Sequence, residues 1–262
     1  MRQHSIVIPA HNEAANLEAF VTAFIASLPS NVSVVEIILV ENGSRDATLS
    51  SCESLRRAHP TLIRVISIPA ASYGEAIKTG ILASTGTHVS VLECDFLDPG
   101  FVSICDRLFE NDDAVFVVAS KRHPASIDAR PLKRRLLTAV YNRVLLGWCI
   151  GYPGSDTHGL KGMQGECARR LCNAAITSGE IFQTELVLLA WRLGLRIWEV
   201  PITIRERRAA PVSVTKRLPK VLNTVIQLHR SLSRFPAAAR PVETLSVQPD
   251  TESVLARRFS VG

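Results

Sequence analysis

Apolar residues fall into two alternating rhythms along the first half of the chain. Short, mostly apolar runs at 5–8, 34–40, 62–67, 87–92 and 114–120 read as strands. Between them, 13–27, 46–59, 75–83 and 99–108 carry helical spacing; in the first of these, Leu17, Phe20, Val21, Phe24 and Ile25 share one face. Strict alternation of strand and helix predicts an α/β fold, a doubly wound, mostly parallel Rossmann-like sheet. The run Val115-Phe116-Val117-Val118 lacks polar alternation, as expected of a strand covered on both faces. Such sheets bind ligands beyond the carboxyl ends of their strands. That rule selects four loops, 9–13, 41–48, 70–74 and 93–98, and many polar residues of this half collect in them.

The second half is less regular. Residues 130–146 predict a basic helix, 147–164 a Gly-rich loop holding one short strand, 180–193 a helix, 196–200 a strand, and 216–232 an amphipathic helix with Pro219 in its first turn. From 235 onward Pro, Ala, Arg, Ser and Glu dominate without periodicity. The expectation is a single domain over 1–234 followed by a flexible tail over 235–262. No internal repeat is visible.

Composition narrows the function classes. With 262 residues, 47% hydrophobic and 21% charged, the chain has material for one substantial core. Its six cysteines (Cys52, Cys94, Cys105, Cys149, Cys167, Cys172) form no CxxC pair, which argues for buried thiols rather than a zinc site or disulfide framework. Residues 1–9 lack the tripartite layout of a secretion signal. No run reaches the roughly 18 apolar residues needed to cross a bilayer. The longest candidate, 136–150, is broken by Tyr141, Asn142 and Arg143. Lys and Arg outnumber Asp and Glu by 30 to 24, and seven of the basic residues stand between Lys121 and Arg143 against one Asp. Such a cluster is ordinarily a solvated face; otherwise it suits anionic lipid or a phosphate substrate. Nucleic acid is disfavoured, because no aromatic residues alternate with the basic ones to stack bases.

Three constellations carry chemistry. Pro9-Ala10-His11-Asn12-Glu13 closes the first strand, where Asn12 and Glu13 could equally cap a helix. Glu41-Asn42-Gly43-Ser44-Arg45-Asp46-Ala47-Thr48 closes the second, with a carboxylate able to accept a nucleobase N–H. Glu93-Cys94-Asp95 closes the fourth, and its two carboxylates suit a hard divalent cation that keeps substrate phosphate oxygens in its shell. Beside these, Lys78 is a phosphate candidate on a helix face, His11 and His158 read as structural histidines, and Trp191 and Trp198 read as packing.

In this order the three motifs resemble those of the family 2 glycosyltransferases, which implies a GT-A fold. The family's Pro-Ala-Tyr-Asn-Glu reads Pro9-Ala10-His11-Asn12-Glu13, its Asp-Asp-Gly-Ser-x-Asp-x-Thr reads Glu41 to Thr48, and its Asp-x-Asp reads Glu93-Cys94-Asp95. The second half is similar to the dolichol-phosphate and polyprenyl-phosphate sugar transferases. Their lipid-phosphate stripe of Arg, then Ser, then Asn at four-residue steps corresponds to Arg134, Thr138 and Asn142, positions that share a helix face. Ser120-Lys121-Arg122 resembles the family's Ser-Arg and makes Arg122 a second phosphate candidate. Asp156-Thr157-His158-Gly159-Leu160-Lys161 resembles the Asp-x-x-x-Gly loop, with Asp156 one residue nearer its Gly. Glu199-Val200-Pro201 matches Glu-Val-Pro, and Arg208 with Ser213 keeps the late Arg…Ser spacing.

The resemblance implies a nucleotide-sugar half over 1–120 and an acceptor half with helical elements over 121–234. It assigns the nucleotide sugar to Pro9, Ala10, His11, Glu13, Glu41, Gly43, Ser44, Lys78, Glu93, Cys94 and Asp95. It assigns Mg2+ or Mn2+ to Glu93 and Asp95, and the acceptor to Arg122, Arg134, Thr138, Asn142 and Asp156, with Asp95, Arg134 and Arg208 in the catalytic step. The implied reaction moves a hexose from GDP-mannose or UDP-glucose to a polyprenyl phosphate with inversion, at the cytoplasmic face of a membrane. A membrane-protein partner or a second copy of the chain stays open. Departures are that Glu93 replaces an Asp, Leu97 stands where a metal-contacting Gln is usual, Pro211 replaces a Gly, and Lys216 is displaced. Alternatives are transfer to a sugar hydroxyl with Asp156 or Glu185 as base, a nucleotidyltransferase, and a nucleotide-binding module without chemistry.

Overall fold

The computed structural model describes residues 3–110, 115–128, 142–204, 218–236, 238 and 241–245. The first half alternates as its pattern predicts: β1 (His4–Ala10), α1 (Leu17–Ser27), β2 (Val34–Asn42), α2 (Thr48–Ala58), β3 (Ile63–Ile68), α3 (Tyr73–Ala83), β4 (His88–Val91), α4 (Pro99–Glu110) and β5 (Phe116–Ser120). There follow β6 (Ile127–Asp128), a π-helical α5 (Asn142–Ile150), β7 (Lys161–Gln164), α6 (Gly165–Ala174), α7 (Phe182–Arg192), β8 (Ile197–Pro201), β9 (Thr203–Ile204), α8 (Leu218–Leu232) and β10 (Glu243–Thr244).

Eight strands form one sheet in the order β10-β8-β5-β7-β4-β1-β2-β3. All neighbours run parallel except β7, which lies antiparallel between β4 and β5. The chain walks outward from β1 through β2 to β3 and then returns to the other side of β1 for β4. The reversal leaves a crevice between the carboxyl ends of β1 and β4, the place where open α/β sheets bind ligands.

Period-two alternation divides the apolar strand residues between two layers, so both faces of the sheet are covered. Val7, Ile38, Val40, Phe116 and Val118 face α3, α6, α7 and α8. Ile6, Ile8, Ile37, Leu39, Val117 and Ala119 face α1, α2 and α4. Each fully buried aliphatic or aromatic side chain contributes about 1.5–3 kcal/mol, so this double layer dominates the stability. Gly80 allows α3 to lie against the sheet, since a Cβ there would collide with Val7 and Val40.

Several expectations are corrected. The first helix starts at Leu17, not at 13, because Glu13–Asn16 is a turn in which the N–H groups of Asn16 and Leu17 both donate to the Glu13 carbonyl at 3.0 Å. The second begins at Thr48, not at 46, with Asp46 accepting from the Thr48 N–H at 3.0 Å. The sequence pattern gave no signal for α6, which buries only Gly165, Ala168, Leu171 and Cys172. Part of the expected tail is ordered: β10 pairs with β8 through Glu243 and Thr244, while Val242 and Leu245 pack against the two apolar layers. Two apolar residues suffice to anchor it at the sheet edge. Of the expected basic helix over 130–146, residues 130–141 lie outside the described residues, and the helix from Asn142 runs on to Ile150.

At the amino ends of the strands a buried carboxylate ties the sheet together. Glu36 accepts from Ser5 Oγ at 2.7 Å, from Thr85 N at 2.6 Å and Thr85 Oγ1 at 2.7 Å, and from Arg64. Burial alone would raise its pKa, but these donors outweigh it and hold the group below the usual carboxylate value. A lowered native pKa stabilises the fold above the unfolded carboxylate value, and that stability is lost as pH falls through the native one. Glu36→Gln is predicted to lower unfolding free energy by about 1–3 kcal/mol at pH 7 and to flatten the acid limb of stability against pH. Urea titrations from pH 7 to pH 3 check both effects.

Candidate active site

The loops after β1 and β2 are clasped by their own polar side chains. Asn12 adopts a left-handed conformation (φ 54°), which Asn tolerates better than most residues. Its N–H donates to Ser44 Oγ at 3.1 Å and its Oδ1 accepts from the Arg45 N–H at 2.9 Å. Glu13 N–H donates to Thr48 Oγ1 at 2.8 Å, and Ala14 N–H to Asp46 Oδ2 at 3.2 Å. His11 donates from Nδ1 to the Asn42 carbonyl at 2.6 Å, leaving Nε2 to accept from Asn12 Nδ2 at 2.9 Å. Gly43 has φ 58°, and a Cβ there would come within 2.7 Å of Ala71 N, so the turn requires glycine.

The carboxylate of Glu41 turns inward. It accepts from Ser44 N–H at 2.5 Å and Ser67 Oγ at 2.6 Å and is only 4% exposed. Burial pushes its pKa up, yet those hydrogen bonds and the nearby His11 bring it below the ordinary value. Glu41 therefore shapes the loop rather than presenting a free carboxylate. Asn42 Oδ1 accepts from Ser72 N–H at 2.7 Å and so joins the second loop to the start of α3.

After β4 the chain makes a tight turn closed by a Phe96 N–H to Glu93 carbonyl bond of 2.8 Å. Asp98 begins α4 by accepting from the N–H groups of Gly100 (2.8 Å) and Phe101 (3.2 Å). Glu93, Cys94 and Asp95 line a cavity of about 340 Å³ together with Pro9, His11, Glu13, Asn42, Tyr73, Lys121, His158 and Gln183. A second cavity of about 630 Å³ shares His11 and is walled by Asn12, Gly43, Ser44, Arg45 and Pro69–Ala71. Both open at the carboxyl rim of the sheet, and the first straddles the switch between β1 and β4. Their sizes suit a small organic ligand.

The floor of the first cavity is a network of buried polar groups. Asp156 is fully buried and accepts from the N–H groups of Lys121 (3.2 Å), Thr157 (2.8 Å) and His158 (3.0 Å). Glu199 holds that loop in turn, accepting from Ser155 N–H at 2.7 Å, Ser155 Oγ at 2.6 Å and Asp156 N–H at 3.2 Å. Burial raises Glu199 above the usual carboxylate range in spite of these donors. His158 is pushed down to about 4 by burial, against the pull of Asp156, and is neutral at neutral pH. Lys161 on β7 is 0% exposed; burial lowers its ammonium to about 7 against the attraction of Glu93 and Asp156.

Glu93 and Asp95 fit a divalent ion. They are hard oxygen donors on one short turn, and Mg2+ or Mn2+ completes its shell from substrate phosphate and water. Among the described residues no third His, Cys, Asp or Glu joins them in a metal-binding cluster.

Of the residues singled out in the sequence, Pro9, His11, Glu13, Glu93, Cys94 and Asp95 line the first cavity, and His11, Gly43 and Ser44 the second. Others take different places. Ala10 is core, Glu41 is tied up in its turn, and Lys78 lines neither cavity. Arg122 is exposed outside both cavities, and it is the neighbouring Lys121 that enters the first one. Asp156 is fully buried and holds the Lys121 and His158 backbone. Arg134, Thr138 and Arg208 lie outside the described residues, as does the side chain of Asn142. The sequence reading did not assign Asn42, Tyr73, Lys121, His158 or Gln183 to the site. A signal for Gln183 exists: with Thr184 and Glu185 it interrupts an otherwise apolar helix, where buried polar groups need a reason.

Comparison with known proteins follows the same lines. Residues 5–168 match the family model "Glycosyl transferase family 2". A dolichyl-phosphate beta-glucosyltransferase of Dictyostelium discoideum is 26% identical over 216 residues, 77% of this chain and 66% of that protein, so the chain falls just short of two thirds of its length. A polyprenol monophosphomannose synthase of Mycolicibacterium smegmatis is 29% identical over 77% of each chain. Among solved structures, glucosyl-3-phosphoglycerate synthase of Mycobacterium tuberculosis, crystallised with Mn2+, UDP-glucose and phosphoglyceric acid, superposes with a TM-score of 0.64 at 20% identity, covering 97% of this chain and 91% of that one. That likeness shows the GT-A fold. With the fold and the matched span agreeing, the chain belongs to glycosyl transferase family 2.

Proposed function

We propose that the protein transfers a hexose from a nucleotide sugar, GDP-mannose or UDP-glucose, to the phosphate of a polyprenyl or dolichyl lipid, with inversion. The observation that carries this reading is the meeting of the Glu93–Asp95 pair and Lys121 around one switch-point cavity. The chain's relatives include proteins named for dolichyl phosphate and polyprenol phosphate. The nucleoside takes the cavity walled by Asn12, Ser44 and Arg45, and the hexose takes the one beyond His11. Glu93 and Asp95 would hold a divalent ion, which would supply charge neutralisation for the leaving nucleoside diphosphate.

The acceptor needs little activation. The second pKa of a phosphate monoester is about 6, so it is ionised near neutral pH and attacks the anomeric carbon without giving up a proton. Lys121 orients it from the cavity wall, in the place the resemblance gives to Arg122, and Arg134 and Arg208 keep the phosphate roles that the family resemblance gives them; Thr138 and Asn142 share the Arg134 stripe. Orientation then provides most of the acceleration. Transfer to a sugar hydroxyl would require a base. The two carboxylates expected to serve are occupied: Asp156 by three backbone N–H groups, and Glu185, also fully buried, by Ile176 N–H and Thr177 N–H at 2.8 Å each and by the Thr177 and Ser231 hydroxyls. This sequestration favours an acceptor that arrives already charged.

A lipid acceptor brings the protein to a membrane surface. Among the described residues no helix is long and apolar enough to cross one. Trp148 on α5, however, is 89% exposed, and the same helix carries exposed Arg143, a combination suited to the headgroup layer of an anionic bilayer.

Two outcomes are expected. Asp95→Asn should lower hexose transfer by roughly 100-fold or more, and chelation should abolish transfer in the parent protein with Mn2+ or Mg2+ restoring it. Radiolabel transfer from a panel of nucleotide sugars to a short polyprenyl phosphate, with 3-phosphoglycerate and a glycolipid as competing acceptors, reads this; transfer only to a competing acceptor would overturn the lipid assignment. Trp148→Ala should raise the apparent KM for acceptor embedded in anionic vesicles by about tenfold while leaving a short-chain, water-soluble acceptor unaffected, as measured by initial rates on the two forms.

A further inference from the structure

Three side chains from three elements form a chain of hydrogen bonds whose direction is fixed at one end. Lys161 Nζ donates to the Gly159 carbonyl and to Gln183 Oε1, each at 2.9 Å. With Lys161 donating in its ammonium form, the Gln183 oxygen faces Lys161 and its amide nitrogen faces away. That nitrogen meets Tyr73 Oη at 2.8 Å. Tyr73 Oη therefore accepts from Gln183, and its own O–H proton is left to donate elsewhere. A phenol keeps its proton at neutral pH, its ordinary pKa being about 10.

Tyr73 and Gln183 both line the cavity that holds Glu93, Asp95 and Lys121. Among the described residues, the only hydrogen bond recorded for the Tyr73 hydroxyl is the one received from Gln183. Placing a nucleoside in the neighbouring cavity puts the diphosphate near the shared His11 edge and the Glu93–Asp95 turn. The hexose then extends toward the wall made by Tyr73, Gln183 and His158.

We propose that the Tyr73 hydroxyl is a dedicated hydrogen-bond donor to a hydroxyl oxygen of the donor hexose, and that Lys161 and Gln183 are positioning residues that keep it pointing its proton into the cavity. The buried lysine would then have a function beyond packing. Its hydrogen bond orients the amide, and the amide orients the phenol. The proposal deepens the reading of this cavity as a nucleotide-sugar site and rests on it.

Two variants test it. Tyr73→Phe removes the proton and keeps the ring. Gln183→Glu keeps size and the contact to Lys161, but the new carboxylate accepts from both Lys161 and Tyr73, drawing the phenolic proton away from the cavity. Calorimetric titration with a nucleoside diphosphate and with the matching nucleotide sugar, both with Mn2+, separates the parts. Each variant is expected to bind the nucleotide sugar about tenfold more weakly and the nucleoside diphosphate unchanged, and the double variant is expected to lose little more than either single one. Unchanged nucleotide-sugar binding in both variants would overturn the proposal. So would equal weakening of both ligands together with weaker Mn2+ binding, which would put the hydroxyl on Glu93 or the diphosphate. If the parent protein binds no nucleotide sugar at all, the reading of the cavity fails and not merely the role of Tyr73.

Discussion

The site depends on where the sheet changes direction. Because β4 returns to the far side of β1, the turns after these two strands cannot close over each other, and the gap between them is the first cavity. Among the described residues, the gap is lined from strand ends and a helix start: His11 and Glu13 from β1, Asn42 from β2, Tyr73 from α3, Glu93 and Asp95 from β4, Lys121 from β5. The antiparallel β7, inserted between β4 and β5, runs away from the same rim. It brings the Asp156–Lys161 loop beneath the cavity and buries a lysine where a parallel sheet would have placed another apolar residue.

Burying so many polar groups has a cost that the hydrogen bonds offset. Asp156, Glu199, Glu185, Gln183 and Lys161 are each matched to several partners, consistent with the rule that an unpaired buried polar group is expensive. The matching also divides labour among the carboxylates. Glu41, Asp46, Asp156, Glu185 and Glu199 hold loops in place, whereas Glu93 and Asp95 are set at the cavity. Function in this rim is thus a matter of which carboxylates the fold leaves available.

Much of this was legible in the sequence because strand-end motifs obey a geometric rule. Alternating apolar runs gave the sheet, and the sheet told which loops to examine; Pro9 to Glu13 and Glu93 to Asp95 converge as that rule requires. What the pattern could not give was direction within a loop. Glu41 and Asp156 look like ligands in sequence and turn inward because nearby N–H groups claim them, and Lys121 rather than Arg122 enters the cavity, which one residue of turn geometry decides. Tyr73 and Gln183 stand 110 positions apart, so nothing local could pair them. The antiparallel sense of β7 and the short β10 were equally hidden, since four- and two-residue strands carry no periodicity of their own.

The central claim is that one pyrophosphate and one divalent ion sit together at the β1–β4 crevice. A crystal structure with a nucleoside diphosphate and Mn2+, collected at the manganese absorption edge, tests it most directly. The account predicts an anomalous peak bound by Glu93 or Asp95 and by diphosphate oxygens, with the nucleoside over Asn12 and Ser44. A peak remote from that turn, or a nucleotide seated anywhere other than the two cavities joined at His11, would contradict it.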